Sequence, residues 1–158
     1  MVKKLIIALL ITTSVTAFSQ KKKEVKKYKI KGLTETETTN GKTIFDGKKT
    51  FDANGEVAEE FNYDKDGTVK SSHKYKYNSE GDVIEDCEYD AKGQLKDKHV
   101  FKYNSLGEKI EESTYDKDGK LTKKSIHTYD AKGLKSERKT YDGANNLISV
   151  KKYIYEYK

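Results

Sequence analysis

The sequence of 158 residues contains no proline, no tryptophan and a single cysteine. Without a second cysteine the chain cannot form an internal disulfide, so non-covalent contacts must hold the fold together. Hydrophobic residues make up only 34% of the chain, which is too little for a thick two-layer core. A repeat array, in which each unit buries one face against its neighbours, needs fewer apolar residues.

Charged residues are abundant, at 37% of the chain. They do not form the long blocks that are typical of disordered segments, because tyrosine, phenylalanine, valine, isoleucine and leucine recur between them at regular places. The alternation of charged and apolar residues therefore favours an ordered fold with shallow burial.

The main apolar run lies at the start of the chain, from Leu5 to Ala17. It follows two lysines and ends in the small-x-small site Ala17-Phe18-Ser19, which is the pattern of a signal peptide cleaved before Gln20. A retained membrane anchor is the alternative, but the run is too short to cross a bilayer comfortably. Residues 1–19 are therefore predicted to be a signal peptide. The mature protein is predicted to be periplasmic, surface-associated or secreted, without stable membrane insertion.

Residues 20–36 are interpreted as a basic leader and the first strand. Seven lysines lie between positions 21 and 31, and we expect this stretch to be a solvated tether. Attraction to an anionic surface is the alternative. The lysines are not regularly interleaved with aromatic residues, so nucleic acid is not a predicted partner.

Residues 37–158 carry an internal repeat. Between positions 51 and 155 an aromatic residue recurs at steps that alternate between 12 and 14, which gives a period of 26 residues. Four residues after the first eight of these aromatics stand Gly55, Gly67, Gly81, Gly93, Gly107, Gly119, Gly133 and Asn145. Glycine and asparagine tolerate the left-handed conformation, so these are the predicted structural turn residues. Each is expected to end a type I turn with a bulge.

The segments between the turns alternate apolar and polar residues with period two, which predicts strands. A degenerate first turn is expected at Thr38-Thr39-Asn40-Gly41. The predicted fold class is therefore all-β: an antiparallel meander of tandem β-hairpins with about ten strands, in a twisted or curling sheet.

The turn type also predicts the cross-strand register, in which Tyr63 faces Val69. Carried along the strands, the same register places His73 between Glu59 and Cys87. An acid, a histidine and a cysteine in one row would suit a nucleophile or a zinc site. The equivalent rows of other repeats hold unrelated residues, however, so cross-strand polar pairing is the preferred interpretation. The sequence thus predicts no catalytic residue, no metal, no cofactor and no enzyme activity.

Three aromatic residues at one repeat position are the candidate ligand-stacking residues: Tyr75, Phe101 and Tyr153. Sugar rings lie flat on such aromatic faces, and a repeat array offers them at regular spacing. The expected cross-strand neighbours of the three rings are Val57, Val83 and Lys135. The alternative is a structural role, because tyrosine suits half-buried sheet surfaces.

Several turn units resemble YD repeats, the Y-D-x-x-G units of the Rhs family of exported bacterial proteins. The matching units are Tyr63–Gly67, Tyr89–Gly93, Tyr115–Gly119 and Tyr129–Gly133. The resemblance covers residues 37–155 and implies hairpins in a long curling sheet, with carbohydrate binding or toxin encasement in some members. This chain shows no C-terminal toxin region, and no functional residue is carried over from the family.

The sequence therefore favours an exported, non-enzymatic binding or structural module of the bacterial envelope. The expected partner is a glycan or an envelope protein. The alternative function is that of a protein–protein inhibitor or immunity-type partner of a toxin.

Overall fold

The computed structural model describes residues 15–158, with side chains from residue 22 onward. Residues 1–14, which hold most of the predicted signal peptide, lie outside the described residues. The elements are helix α1 (Val15–Tyr28) and strands β1 (Gly32–Thr39), β2 (Lys42–Phe51), β3 (Val57–Tyr63), β4 (Val69–Tyr77), β5 (Val83–Asp90), β6 (Leu95–Tyr103), β7 (Lys109–Asp116), β8 (Leu121–Tyr129), β9 (Lys135–Asp142) and β10 (Leu147–Lys152). The ten strands form one antiparallel sheet in chain order, so the predicted meander is confirmed.

Eight of the turns share the expected backbone geometry. The seven turn glycines have φ between 75° and 91°, and Asn145 has φ of 67°, so the left-handed conformation is confirmed at all eight positions. The aspartate or asparagine that opens the turn bonds back to the backbone: Asp64 Oδ1, for example, accepts the N–H of Asp66 at 2.9 Å and of Thr68 at 3.0 Å. Each turn is therefore determined by its own few residues.

The first turn differs from the prediction. Thr39 and Lys42 are directly paired, and the two residues between them, Asn40 and Gly41, both have positive φ. Two successive left-handed residues form a two-residue type I′ turn, which the Asn-Gly sequence strongly favours. The four-residue turn expected over residues 38–41 is therefore wrong.

A bulge follows each of the remaining eight turns and shifts the register. Tyr63 faces Val69 as predicted, but the next pair is Asn62 with Ser71, because Lys70 is an extra residue in the ladder. The same shift occurs in each later pair of strands. The predicted register is thus confirmed beside the turns and wrong along the rest of each strand.

The shift separates the residues that the sequence placed in one row. His73 faces Glu60 on β3 and Glu88 on β5, whereas Cys87 faces Lys74. Successive residues of a strand alternate between faces, so His73 and Cys87 lie on opposite faces of the sheet. The predicted Glu59–His73–Cys87 row does not form.

We call the face that carries Tyr75, Phe101, His127 and Tyr153 the ring face, and the face that carries Cys87 the reverse face. The sheet is a single layer, so burial on either face comes from long side chains that lie over shorter ones. Ser113 on the reverse face and Thr140 on the ring face are buried in this way. The core of the protein is therefore spread thinly over both faces.

Helix α1 covers the first strands. Val25 is only 5% exposed, and it lines a cavity of about 130 Å³ with Leu33 and Phe51. Lys22 forms an ion pair with Glu56, the residue directly before β3. The prediction of a solvated tether is therefore wrong for residues 22–28, because the helix buries apolar surface of the sheet. No helix within residues 15–158 is long and apolar enough to cross a membrane.

Candidate ligand-binding face

The ring face presents a row of side chains at one repeat position, which we call the ring row: Tyr75, Phe101, His127 and Tyr153. The first three lie on β4, β6 and β8, and the fourth directly follows β10. Adjacent strands are about 4.8 Å apart, so successive members of the row are separated by roughly 10 Å. This spacing is close to the length of a disaccharide. The three predicted stacking residues are all partly buried.

The rings do not face the neighbours predicted for them on the preceding strands. The bulge shifts the register by one residue, so the N–H of Tyr153 donates to the carbonyl of Ser136 and not to that of Lys135. On the following strands, Tyr75 faces Asp86 and Phe101 faces Glu112, so a carboxylate lies beside each of these two rings. The hydroxyl of Tyr75 also lies 3.5 Å from Glu60 Oε2. Desolvation, Asp86 and Glu60 together raise the pKa of Tyr75, so its phenol stays neutral.

Two members of the ring row have a histidine two residues earlier on the same strand. His73 lies beside Tyr75 with ring centroids 6.0 Å apart and planes within 11°, and His99 lies beside Phe101 at 6.3 Å and 9°. Lys109 Nζ is 4.7 Å from the centroid of the Phe101 ring. The planes of the two rings are therefore nearly parallel in each pair. The two pairs are 26 residues apart in the sequence, and this spacing could have revealed them.

A groove of about 800 Å³ opens on the ring face beside Phe101, between the turns that precede β5 and β7. Phe101 and Tyr103 form aromatic walls, while Glu80 and Asp82 supply carboxylates. The Tyr103 hydroxyl donates to the carbonyl of Val83 at 2.9 Å, which fixes the orientation of its ring. Six of the eleven residues that line the groove are polar or charged, so it offers many hydrogen-bonding groups beside the two aromatic walls.

The reverse face offers little reactive chemistry. Cys87 is buried, and its Sγ lies 3.7 Å from Glu85 Oε1. Burial and the negative charge of Glu85 raise the pKa of the Cys87 thiol, which lowers its thiolate fraction. Within the described part of the chain, no group of three His, Cys, Asp or Glu side chains is arranged to hold a metal ion.

These features define a class of protein: a single-layer antiparallel sheet of hairpin repeats that carries aromatic rings at repeated positions on both faces. No known family model and no curated protein matches the chain. Among solved structures, the chain is similar to a Bacteroides fragilis protein of unknown function, at 15% identity over 80% of this chain and 96% of the other, with a TM-score of 0.43.

Two further solved structures show weaker similarity. One is a porin-like protein from Bacteroides uniformis, at 12% identity over 74% of each chain and a TM-score of 0.34. The other is a GtfA/B complex bound to UDP and GlcNAc, at 16% identity over 76% of this chain and 24% of that one, with a TM-score of 0.33. At such TM-scores these similarities carry no argument about function.

Proposed function

We propose that the protein is an exported, non-enzymatic binding module of the bacterial envelope that holds a glycan on its ring face. The observation that carries the proposal is the position of Phe101, which belongs to the ring row and also lines the groove of about 800 Å³. A sugar unit in the groove stacks on Phe101, while Glu80 and Asp82 accept hydrogen bonds from its hydroxyls. Further units extend along the ring row.

Two other observations support a binding role. His73 and Cys87 lie on opposite faces, so the one cysteine has no histidine to activate it, and the proposal assigns no catalytic residue. The resemblance of the turn units to YD repeats, a family in which some members bind carbohydrate, agrees with a glycan ligand.

The test compares two identical substitutions on opposite faces. Phe101→Ser should weaken binding to an envelope polysaccharide by roughly 3- to 10-fold, which corresponds to the loss of one aromatic stacking contact. Phe61→Ser removes the same ring from the reverse face and should leave binding unchanged. Isothermal titration with glycans selected on a bacterial glycan array measures both. An equal loss in the two variants would refute the ring face as the site.

The triple substitution of Tyr75, Phe101 and Tyr153 by serine should abolish glycan binding and lower the free energy of unfolding only modestly. If the triple variant instead unfolds, the rings are structural. If it folds and still binds, the glycan site lies elsewhere.

Export is the localisation part of the proposal. Mass spectrometry of the protein from the periplasm or the medium should find Gln20 as the first residue, because cleavage is predicted after Ser19. Mature protein that retains Met1 would contradict it.

A second candidate function, as an inhibitor or immunity-type partner of a toxin, is favoured by β10. This strand forms one edge of the sheet, and Ile148 and Val150 on it are 59% and 45% exposed. An apolar edge strand suits a protein partner that adds a strand of its own. Val150→Lys should then remove a specific partner from a pull-down of envelope extract while leaving glycan binding intact.

A further inference from the structure

The ring face reverses its charge towards the C-terminal end of the sheet. At one repeat position, three successive units carry Glu60, Asp86 and Glu112, and the fourth carries Arg138, the single arginine of the chain. The first three units fold with an acid at this position, so the repeat itself does not require a cation there. The change in the fourth unit therefore needs a local explanation.

Lysines accompany this reversal. Strands β3, β5, β7 and β9 each begin beside a bulge. Their first residue is a valine in β3 and β5 (Val57 and Val83) but a lysine in β7 and β9 (Lys109 and Lys135). In β7, Lys109 Nζ pairs with Glu112 Oε2 at 3.0 Å, so the protein supplies the carboxylate. In β9, one period later, Lys135 and Arg138 take the places of Lys109 and Glu112. The carboxylate of the preceding unit has thus been replaced by a second cation.

His127 lies at the centre of this group. It faces Arg138 directly across the strand pair and occupies the ring-row position between Phe101 and Tyr153. It is only 6% exposed. Within residues 22–158, the two ring nitrogens of His127 and the buried Nε of Arg138 all lack a hydrogen-bond partner.

Unpartnered buried polar atoms are costly, at about 1–3 kcal/mol each, and native proteins keep few of them unless a water, an ion or a ligand completes their hydrogen bonds. The local field indicates the sign of the missing group. Desolvation and the positive charges of Lys135, Lys109 and Arg138 lower the pKa of His127, with Glu112 acting in the opposite direction. The region is therefore positive, and it attracts an anion.

We infer that Arg138, Lys135 and His127, which lie beside the Lys109–Glu112 ion pair, form a site for one carboxylate of the bound glycan. The ligand's carboxylate takes the place that the side chain of Glu112 occupies in the preceding unit. The Arg138 guanidinium binds it as a planar fork, and the neutral His127 ring donates one further hydrogen bond. The inference rests on the proposed function and names the class of glycan: one that contains uronic acid units.

The remaining acids of the ring face orient such a ligand. Glu60 and Asp86 repel a second carboxylate at the corresponding positions near the N-terminal end of the sheet. The glycan therefore places an acidic unit over β8 and β9 and a neutral unit on Phe101.

The test uses a uronic-acid oligosaccharide and the same oligosaccharide with its carboxylates reduced to alcohols, titrated calorimetrically into the full chain at one ionic strength. The wild-type protein should bind the acidic form at least about tenfold more tightly, as expected for a charge-assisted hydrogen bond. Arg138→Glu restores the residue type of the other units, so it should fold. It should remove the preference for the acidic form and keep the affinity for the reduced form.

Lys120→Glu is the matched control, because it makes the same change in net charge at an exposed turn. It should preserve the preference. Arg138→Gln replaces Arg138→Glu if thermal melts show that the latter is unfolded.

Equal affinity of the wild type for the two oligosaccharides would overturn the carboxylate site and leave the proposed function standing. A failure to bind either one, or any other glycan of the array, would overturn both. Tighter binding of a phosphorylated glycan than of the uronic-acid form would overturn the assignment of carboxylate.

Discussion

At the scale of single residues, the turns depend on one backbone conformation rather than on contacts. Gly93 has φ of 75°, and a Cβ built on it would meet no atom within 4 Å. Space is therefore available for a side chain, and only the left-handed conformation opposes one. Asn145 holds the same position in the last turn with φ of 67°.

Gly93→Val should lower the free energy of unfolding by roughly 1–3 kcal/mol, because a β-branched residue is strained at positive φ. Gly93→Asn should be much milder. Urea denaturation of the two variants measures the difference. Similar values for both would mean that the turn adopts another conformation when glycine is replaced.

Four tyrosines of the repeat have a role that is visible only in the structure. The hydroxyls of Tyr77, Tyr103, Tyr129 and Tyr155 each donate to the carbonyl of the residue 20 positions earlier, at 2.8–2.9 Å. The accepting residues are Val57, Val83, Lys109 and Lys135, each of which directly precedes the extra residue of a bulge. A bulge disrupts the ladder locally, so the tyrosine satisfies a carbonyl beside that disruption.

Tyr103→Phe should therefore lower the free energy of unfolding by about 1–3 kcal/mol, because the carbonyl of Val83 loses its donor. Tyr115→Phe is the matched control. Tyr115 belongs to the other set of turns, where Lys98 Nζ lies 5.4 Å from the ring centroid and the hydroxyl has no partner within residues 22–158. Thermal melts should show a shift for Tyr103→Phe alone, and equal shifts would contradict the role of the hydroxyl.

At the scale of elements, helix α1 is the one part that lies across the sheet instead of within it. Its contact depends on Val25 above Leu33 and Phe51, and on the ion pair between Lys22 and Glu56. The lysines of residues 23–29 face solvent, so the helix has a basic outer surface and a narrow apolar contact.

Val25→Asp should detach the helix from the sheet, since a buried unpaired carboxylate is costly. Trypsin should then cleave rapidly among the lysines of the helix while the sheet stays protected, because cleavage follows the population of the open form. Lys23→Asp places the same residue at an exposed neighbouring position and should leave the cleavage rate low. Rapid cleavage of both variants would show that the charge alone causes the effect.

At the scale of the whole molecule, the sheet is a linear array in which each strand contacts only the strands before and after it. Deleting residues 94–119 removes β6 and β7 as one period of 26, and the flanking strands keep their faces. Deleting residues 94–106 removes 13 residues and joins two turns that lie at opposite ends of the strands. The first variant should unfold cooperatively near the wild-type temperature, and the second should melt far lower or not fold. Equal circular-dichroism melts would contradict the register.

The sequence by itself determined the period, the turns and the pairs beside them. These depend on residues close in the chain: Asp64 bonds to the backbone of its own turn, Gly67 provides the left-handed conformation, and Tyr63 then faces Val69. Such local interactions can be inferred from residue types at fixed spacing, and they were sufficient to predict the order and direction of the strands.

Only the tertiary structure decided the faces of the sheet and the site. Whether a residue such as Ile84 or Ile110 bulges depends on how a whole strand fits its neighbour. The shift at Ile84 separates His73 from Cys87, and the shift at Ile110 places Glu112 opposite Phe101. The docking of α1 and the pairing of His127 with Arg138 likewise join distant residues. Their energies depend on burial and on cross-strand neighbours, which residue spacing alone does not specify.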